Sequence, residues 1–218
     1  MKFDLHIHSV YSDDSDMELV DIIRSAEAKG LDGIAILDHN TLDGYFKARD
    51  LETDLIIVPA MEVSTKKGHI MALGVQEKIE DRLSIESTTE RIRERGGLSI
   101  AVHPYRFRSG LGEKNVRDND WDGIEGLNGR CLSQKNKKAQ KMAHDLRLPT
   151  TGGSDAHRLK SIGEAFTILK KVDDWEEVIQ EVQKGNTEVG GRSRTLSQNL
   201  FYFKRTFSRW VKRGFKRI

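Results

Sequence analysis

Residues 4–15 read DLHIHSVYSDDS, and the rest of the chain is organised around them. The opening alternates as a strand does, and on a strand, side chains two apart share a face. His6 and His8 are therefore expected to point the same way, with Asp4 one step below. Phe3, Leu5 and Ile7 are expected on the opposite face, beneath covering helices. Two imidazoles on one face of a buried strand are costly unless something satisfies them. A divalent cation does so directly. Asp4 is then expected to accept the remaining ring N–H of a ligand histidine.

Outward from this strand, strand-like and helix-like runs alternate. Residues 15–30 read as a helix with a Ser15–Glu18 capping box and Gly30 at its end. DGIAILDH (32–39) and LIIVPAMEVST (55–65) read as buried strands. KGHIMALGV (67–75) follows a Lys-Lys-Gly turn and is expected to pair with 55–65 as a hairpin. A second helix begins at a Ser87–Glu90 capping box, and LSIAVHP (98–104) is the next strand. DGIEGLN (122–128), PTTGGSDAH (149–157) and AFTILK (165–170) read as strands. Residues 133–147 and 174–186 read as helices. This alternation predicts an α/β fold with a mostly parallel sheet.

Histidines and acids recur where those runs begin or end. His39 ends one strand, Glu62 falls near the end of another, and His69 opens the next. His103 ends a strand, held extended by Pro104. Asp155 and His157 repeat the spacing of the first pair. Six of the seven histidines occupy such positions, and only His144, inside a polar helix, reads as solvated surface. In a parallel barrel the C-terminal strand ends meet at one rim, so residues 150 positions apart converge. Nine candidate ligands result: His6, His8, Asp13, His39, Glu62, His69, His103, Asp155 and His157. Nine exceed the needs of one ion and suit two or three divalent ions with bridging carboxylates. Imidazole and carboxylate without thiolate suit zinc, manganese or iron.

The bulk properties set the remaining bounds. The chain has 218 residues and is 37% hydrophobic, enough for one packed core. No apolar run reaches membrane-spanning length, and no secretory leader is recognised before the first strand. The single Cys131 excludes an internal disulfide and a cysteine-based zinc site. A cytoplasmic location is the expectation. The net charge of +2 is unevenly spread. From residue 192 onward there are nine Lys or Arg and no acid, leaving 27 basic against 34 acidic residues before it. Leu196, Leu200, Phe203, Phe207, Trp210 and Val211 fall on one helical stripe of that tail. We therefore expect a barrel over 1–191 and a basic amphipathic helix over 192–218. The tail packs on the barrel, contacts nucleic acid, or rests on an anionic membrane surface as a peripheral contact.

DLHIHSVYSDD, LDHNT, GHIMALG, AVHPYR and GGSDAH also resemble, in order, the motifs of the PHP family (polymerase and histidinol phosphatase). The resemblance covers about residues 2–190. It implies a distorted (β/α)7 TIM-like barrel, a trinuclear site built from the nine residues, and Glu62 as the bridging ligand. Asp13 is carried over from a motif whose following glycine is Asp14 here. The implied chemistry is metal-dependent phosphoester hydrolysis, with Asp13, Glu62, His103, Asp155 and His157 as the catalytic set. Arg106, Arg130 and Arg158, just beyond ligand positions, are the expected phosphate-binding residues. Asn40, Thr41 and Asn128 are weaker candidates, and SGLGEK (109–114) is expected as a mobile covering loop. The expected substrate is a phosphorylated small molecule or nucleotide. The alternatives are a 5′–3′ exonuclease on single-stranded RNA or DNA, an amide hydrolase or deaminase on a related barrel, and a noncatalytic metal-stabilised binding module. Oligomeric state is not read from the sequence.

Overall fold

The computed structural model describes residues 1–195. Of the basic helix expected over 192–218, residues 192–195 are described and are not helical, and residues 196–218 lie outside the described residues. The first half of the chain runs β1 (Lys2–Ile7), α1 (Leu19–Ala28), β2 (Gly33–Ile36), α2 (Asp43–Ala48), β3 (Ile56–Val58), β4 (Ala60–Thr65) and β5 (Gly68–Leu73). It continues with α3 (Ile85–Glu94), β6 (Leu98–Ala101), α4 (Glu113–Arg117), β7 (Gly123–Asn128) and α5 (Ser133–Leu146). The final elements are β8 (Thr150–Gly153), β9 (Ala165–Ile168), α6 (Trp175–Gln183) and β10 (Glu188–Gly191). Among the described residues, no helix is long and apolar enough to cross a membrane.

One curled sheet carries the order β3-β2-β1-β9-β8-β7-β6-β5-β4, with β10 pairing β9. Its two flanks meet where His39 bridges Glu62 in parallel, with Asn40 N–H donating to Glu62 O and Glu62 N–H to Asp38 O. At the rim β1 also meets the segment after β8, where Ile7 bridges Ala156. β3 and β4 are separated by Pro59 and run one after the other beside β2. The result is a nearly closed α/β barrel, as the alternation and the resemblance predict, but its sheet is mixed where a mostly parallel one was expected. The pairs β1–β2, β2–β3, β6–β7 and β7–β8 are parallel, and β4–β5, β5–β6, β1–β9, β8–β9 and β9–β10 are antiparallel. The 55–65 run is split into β3 and β4, and the hairpin expected with β5 is present from Ala60↔Leu73 to Thr65↔Gly68. β5 is antiparallel to both β4 and β6, so its first residues lie at the rim where its parallel neighbours end.

The interior is apolar at the bottom. Phe3, Leu5, Ala35, Val58, Leu73 and Ile100 pack there with Val178, Ile179 and Val182, so α6 plugs the base. Outside, Ile34 and Ile36 pack under Ile22, Ile23 and Ala26 of α1, and Ile70 and Ala72 pack under α3.

This division corrects the facing expected for β1. Phe3 is paired with Gly33 and Asp4 with Ile34, but Ile7 is paired with Ile36. Two residues, Leu5 and His6, therefore stand opposite the single Ala35. A bulge of this kind re-aims the side chains beyond it. Phe3 and Leu5 point into the barrel, Asp4 and Ile7 point out, and His6 is turned inward only because alternation is interrupted. Two helix starts also differ. Glu18, not Ser15, precedes α1 and makes no side-chain cap, while Ser15 Oγ donates to His8 O. Ser84 caps α3 by accepting from Ser87 N–H, so Ser87 is inside the helix.

Candidate metal centre

Glu62 is the hub of the rim. It extends from β4 with 1% of its surface exposed, and five imidazoles face its carboxylate. His69 Nδ1 and His103 Nε2 lie 2.8 and 3.0 Å from Oε1. His8 Nε2, His39 Nδ1 and His6 Nε2 lie 3.2, 3.4 and 3.5 Å from Oε2. His69 reaches this point from the start of a strand because β5 runs opposite to its neighbours. Two residues here carry positive φ, His103 at 28° and Asp155 at 52°, a conformation that costs a non-glycine residue about 1 kcal/mol or more. Both stand just past a barrel strand, where the chain turns to aim a side chain inward.

Asp155 is the second buried carboxylate. Its Oδ1 lies 3.7 Å from His8 Nε2 and 4.0 Å from His6 Nε2. Arg130 donates to Oδ1 at 2.9 Å, and Arg106 donates to Oδ2. Arg130 also lies 2.9 Å from the ring nitrogens of His157. His157 Nε2 contacts Asp14 Oδ2 at 2.6 Å, and His39 Nε2 lies 3.9 Å from the same atom.

These contacts bring together eight of the nine predicted ligands. The ninth, Asp13, is exposed and makes none of these contacts, whereas Asp14, exposed as well, lies against His157 and groups with it and His8. The turn after β1 decides this. Ser12 N–H donates to Ser9 O, and Ser12 Oγ accepts from His39 N–H, which brings the chain at Asp14 back over the rim. Arg106 and Arg130 lie at the cluster as expected. Arg158 lines a pocket with Arg130, Asp155, His157, Ser161 and Arg194. Asn40 instead ties β4 down through Ser64, and Thr41 accepts from Asp43 N–H. The 109–114 loop folds back on the barrel, with Ser109 O accepting from His69 N–H and Gly112 N–H donating to Pro104 O.

Two residues that sequence reasoning left aside or underrated support the cluster from behind. Glu125, a lone acid inside an apolar strand, accepts from His6 Nδ1–H at 2.7 Å and from His103 N–H at 2.8 Å. Asn128 donates to Glu125 at 3.0 Å and to Asp155 at 3.1 Å. It faces inward because β7 is bulged at Gly126, where Glu125 pairs Thr151 but Leu127 already pairs Gly152. Asp4, expected as a ligand's partner, points outward and accepts from Ser154 and Gly163 N–H, and burial pushes its carboxyl up to about 6. Gly153 is required by closeness, since a Cβ there would sit 2.3 Å from His6 Cβ.

The electrostatics set ionised carboxylates beside neutral imidazoles. Burial alone would raise Glu62, but His39 and its neighbouring histidines outweigh it and hold the carboxyl well below its ordinary range. Burial would likewise raise Asp155, and Arg106 and Arg130 overcome it. Burial disfavours a charged His6, yet Glu125 and Asp155 pull its pKa well above the usual value. His39 is pushed by burial down to about 4 and His157, by burial and then Arg130, to about 3, so both are neutral with a lone pair to give. His39 Nδ1 is buried with no hydrogen-bond partner among the described residues. His6 and His8 Nε2 are 3.2 Å apart, close to the spacing of about 3.4 Å for two donors sharing one ion at about 2.1 Å. Several ionised carboxylates, an orphaned imidazole nitrogen and facing nitrogen pairs are what divalent cations satisfy.

Residues 133–187 match a family described as PHP-associated. The chain is 40% identical over 141 residues to the uncharacterized protein MJ1587 of Methanocaldococcus jannaschii, covering 59% of this chain and 82% of that protein. Over 82 residues it is 37% identical to a phosphoribosyl 1,2-cyclic phosphate 1,2-diphosphodiesterase of Eggerthella lenta, 34% of this chain and 31% of that enzyme. In fold it resembles a two-domain protein of Bacteroides vulgatus that contains a predicted PHP-like metal-dependent phosphoesterase. That likeness has a TM-score of 0.73 at 17% identity, over 88% of this chain and 65% of the larger protein.

Proposed function

The chain belongs to the PHP family, and from that premise we propose that it hydrolyses phosphoesters of a small molecule or nucleotide with two or three divalent ions at the rim. The observation that carries this is Glu62 encircled by five histidines beside two arginines. We assign as ligands His6, His8, Asp14, His39, Glu62, His69, His103, Asp155 and His157, with Asp14 in the place expected for Asp13. The donor set favours zinc, manganese or iron. Ions held there would polarise the phosphate and make water nucleophilic near neutral pH.

The chain's own groups supply the rest. Glu125 accepts His6 Nδ1–H, so Nε2 is the atom facing the cluster that would give up its proton to an arriving ion. Ser12 Oγ, already accepting from His39 N–H, lies 3.1 Å from His8 Nδ1 and does the same for that ring. Arg106 and Arg130 stand where phosphate oxygens would arrive, with planar donors suited to two oxygens at once. Asn128 holds Asp155 in position beneath them.

The test is a substrate panel with manganese, zinc or iron added: a phosphomonoester, cyclic and linear dinucleotides, 5′-phosphorylated single strands, and an amide. Turnover of a phosphoester that falls at least about a hundredfold in His8→Ala, with the ions lost as well, supports the assignment. Turnover at wild-type rate in that variant would overturn it. A nuclease is the second reading. It is favoured by the chain reaching the rim pocket at Arg194 just before its most basic stretch. Binding of single-stranded RNA that weakens with salt and is lost on truncation after residue 195 would select it.

A further inference from the structure

The segment after β8 is fastened to β1 at two points. Ala156 N–H donates to His6 O at 3.3 Å, and Ala156 O accepts from His8 N–H at 3.0 Å. Further on, Gly163 N–H donates to the outward-facing Asp4 carboxylate at 2.7 Å. Between these anchors, residues 157–162 swing away from the strand. They carry His157 and Arg158 and then a single 3₁₀ turn, Leu159–Ser161, before Ile162 is buried in the cluster that holds Ile22, Ile23 and Ala26 of α1.

Apolar burial does not hold that turn. None of Leu159, Lys160 and Ser161 is buried, and Leu159 is 37% exposed. The turn is held by polar groups at the end of α1. Ser25 Oγ donates to Leu159 O at 3.0 Å. Lys29, the residue that closes α1, places its ammonium against three carbonyls of the turn. It donates to Leu159 O at 3.0 Å, Lys160 O at 2.9 Å and Ile162 O at 2.6 Å. An ammonium has three N–H donors and no acceptor, so this one is matched donor for acceptor. A lysine in the last turn of a helix commonly serves its own helix's final carbonyls. Lys29 instead reaches a segment 130 residues further along the chain. Charged donors make stronger hydrogen bonds than neutral ones, so the position of this ammonium sets the path of the turn.

We propose that Lys29 is a positioning residue for the metal centre: its ammonium latches the 159–162 turn to α1 and so fixes His157, two residues upstream, at the rim. This rests on the metal-centre reading above and extends it to a side chain outside the ligand set. Loss of the latch frees the turn locally and leaves the barrel folded, because the anchors at Ala156 and Gly163 remain.

Lys29→Met keeps the apolar stem and removes the ammonium. In the metal-free chain, amide hydrogen exchange at Ser161 and Ile162, both hydrogen-bonded within the turn, should quicken about tenfold or more. Exchange in α5 and β7 should stay at the wild-type rate. Calorimetric titration with manganese or zinc should show affinity about tenfold or more below wild type, as when a group that orients a ligand is lost. In Lys29→Ala, added propylammonium, which replaces the atoms beyond Cβ, should restore both slow exchange and metal affinity, whereas propanol should restore neither. Unchanged exchange in Lys29→Met, or equal rescue by propanol, would overturn the latch. Faster exchange with wild-type metal affinity would overturn the positioning role. If wild type binds no metal, the metal-centre reading falls, and the exchange rates with their propylammonium rescue still decide the latch on their own.

Discussion

Glu62 and Asp155 are both buried at one rim and both held ionised, but by different partners. Glu62 is ringed by imidazoles, whose charge depends on pH and on what binds their lone pairs. Asp155 is gripped by two guanidinium groups, whose charge is fixed. A carboxylate among imidazoles is an open site, because a cation can replace the protons that histidines would otherwise share. A carboxylate among arginines has its charge partly compensated, so Asp155 orients those arginines while its Oδ1 also faces His6 and His8. On the function proposed above, one half of the rim would hold cations and the other would face the anionic groups of a phosphoester.

Replacing each carboxylate by its amide separates the two halves. Glu62→Gln removes the charge common to five histidines. Metal binding and turnover should fall at least about a hundredfold, the several kcal/mol expected when bridging charge is lost. The metal-free protein should remain folded, since Gln still offers an acceptor to the same rings. Asp155→Asn leaves Arg106 and Arg130 facing no carboxylate there, and Arg130 is only 9% exposed. Breaking such a buried pair costs about 3–5 kcal/mol, visible in urea unfolding without any metal. If instead Glu62→Gln unfolds the metal-free chain and Asp155→Asn does not, the contrast is reversed and the division of the rim fails.

Glu125→Gln sharpens the imidazole half. The amide can still accept from His6 Nδ1–H, but it carries no charge and exchanges one acceptor for a donor near His103 N–H. Loss of such a supporting carboxylate typically lowers metal affinity about 10–100-fold. Calorimetric titration with manganese or zinc measures this independently of turnover. Affinity equal to wild type would mean that Glu125 serves only packing.

Much of this contrast was legible before any coordinates. The positions of the histidines at strand ends announced the open half, and the ordered motifs announced the barrel. What the letters hid were departures from regular geometry. Strict alternation put Asp4 beside His6, but the bulge at Leu5–His6 separates them onto opposite faces. A second bulge at Gly126 turned Asn128 inward and made it more than a weak candidate. Asp13 and Asp14 are equivalent as letters, and only the turn through Ser9 and Ser12 distinguishes them. Glu125 did leave a signal, an acid in the middle of a buried strand, because burial of an unpaired carboxylate is too costly to be incidental. Nothing in the composition of 192–195 indicated that this segment returns to the rim, since its anchors, Glu164, Asn136 and Cys131, lie in elements distant in sequence.

The smallest expected effect concerns the protons that the open half excludes. His39 has its pKa lowered by burial to about 4, against about 6.5 when unfolded. Between those values the unfolded chain binds a proton that the folded chain does not, so stability rises with pH there and falls as pH drops from about 6.5 toward 4. His6 works in the opposite sense. Its raised pKa contributes stability that is complete below about 6.5 and is lost as pH rises through the folded value. The side chain of His39 is 23% exposed, so solvent screening reduces its share to about 1–2 kcal/mol. Urea unfolding of the chelator-treated protein at pH 6.5 and 4.5, with wild type and His39→Asn compared, isolates that share. The variant should lose about 1–2 kcal/mol less than wild type over the interval, because it has no proton to exclude. Parallel acid limbs in the two proteins would show that burial does not hold His39 neutral, and the imidazole half would then lack the ready lone pair that sets it apart from the arginine half.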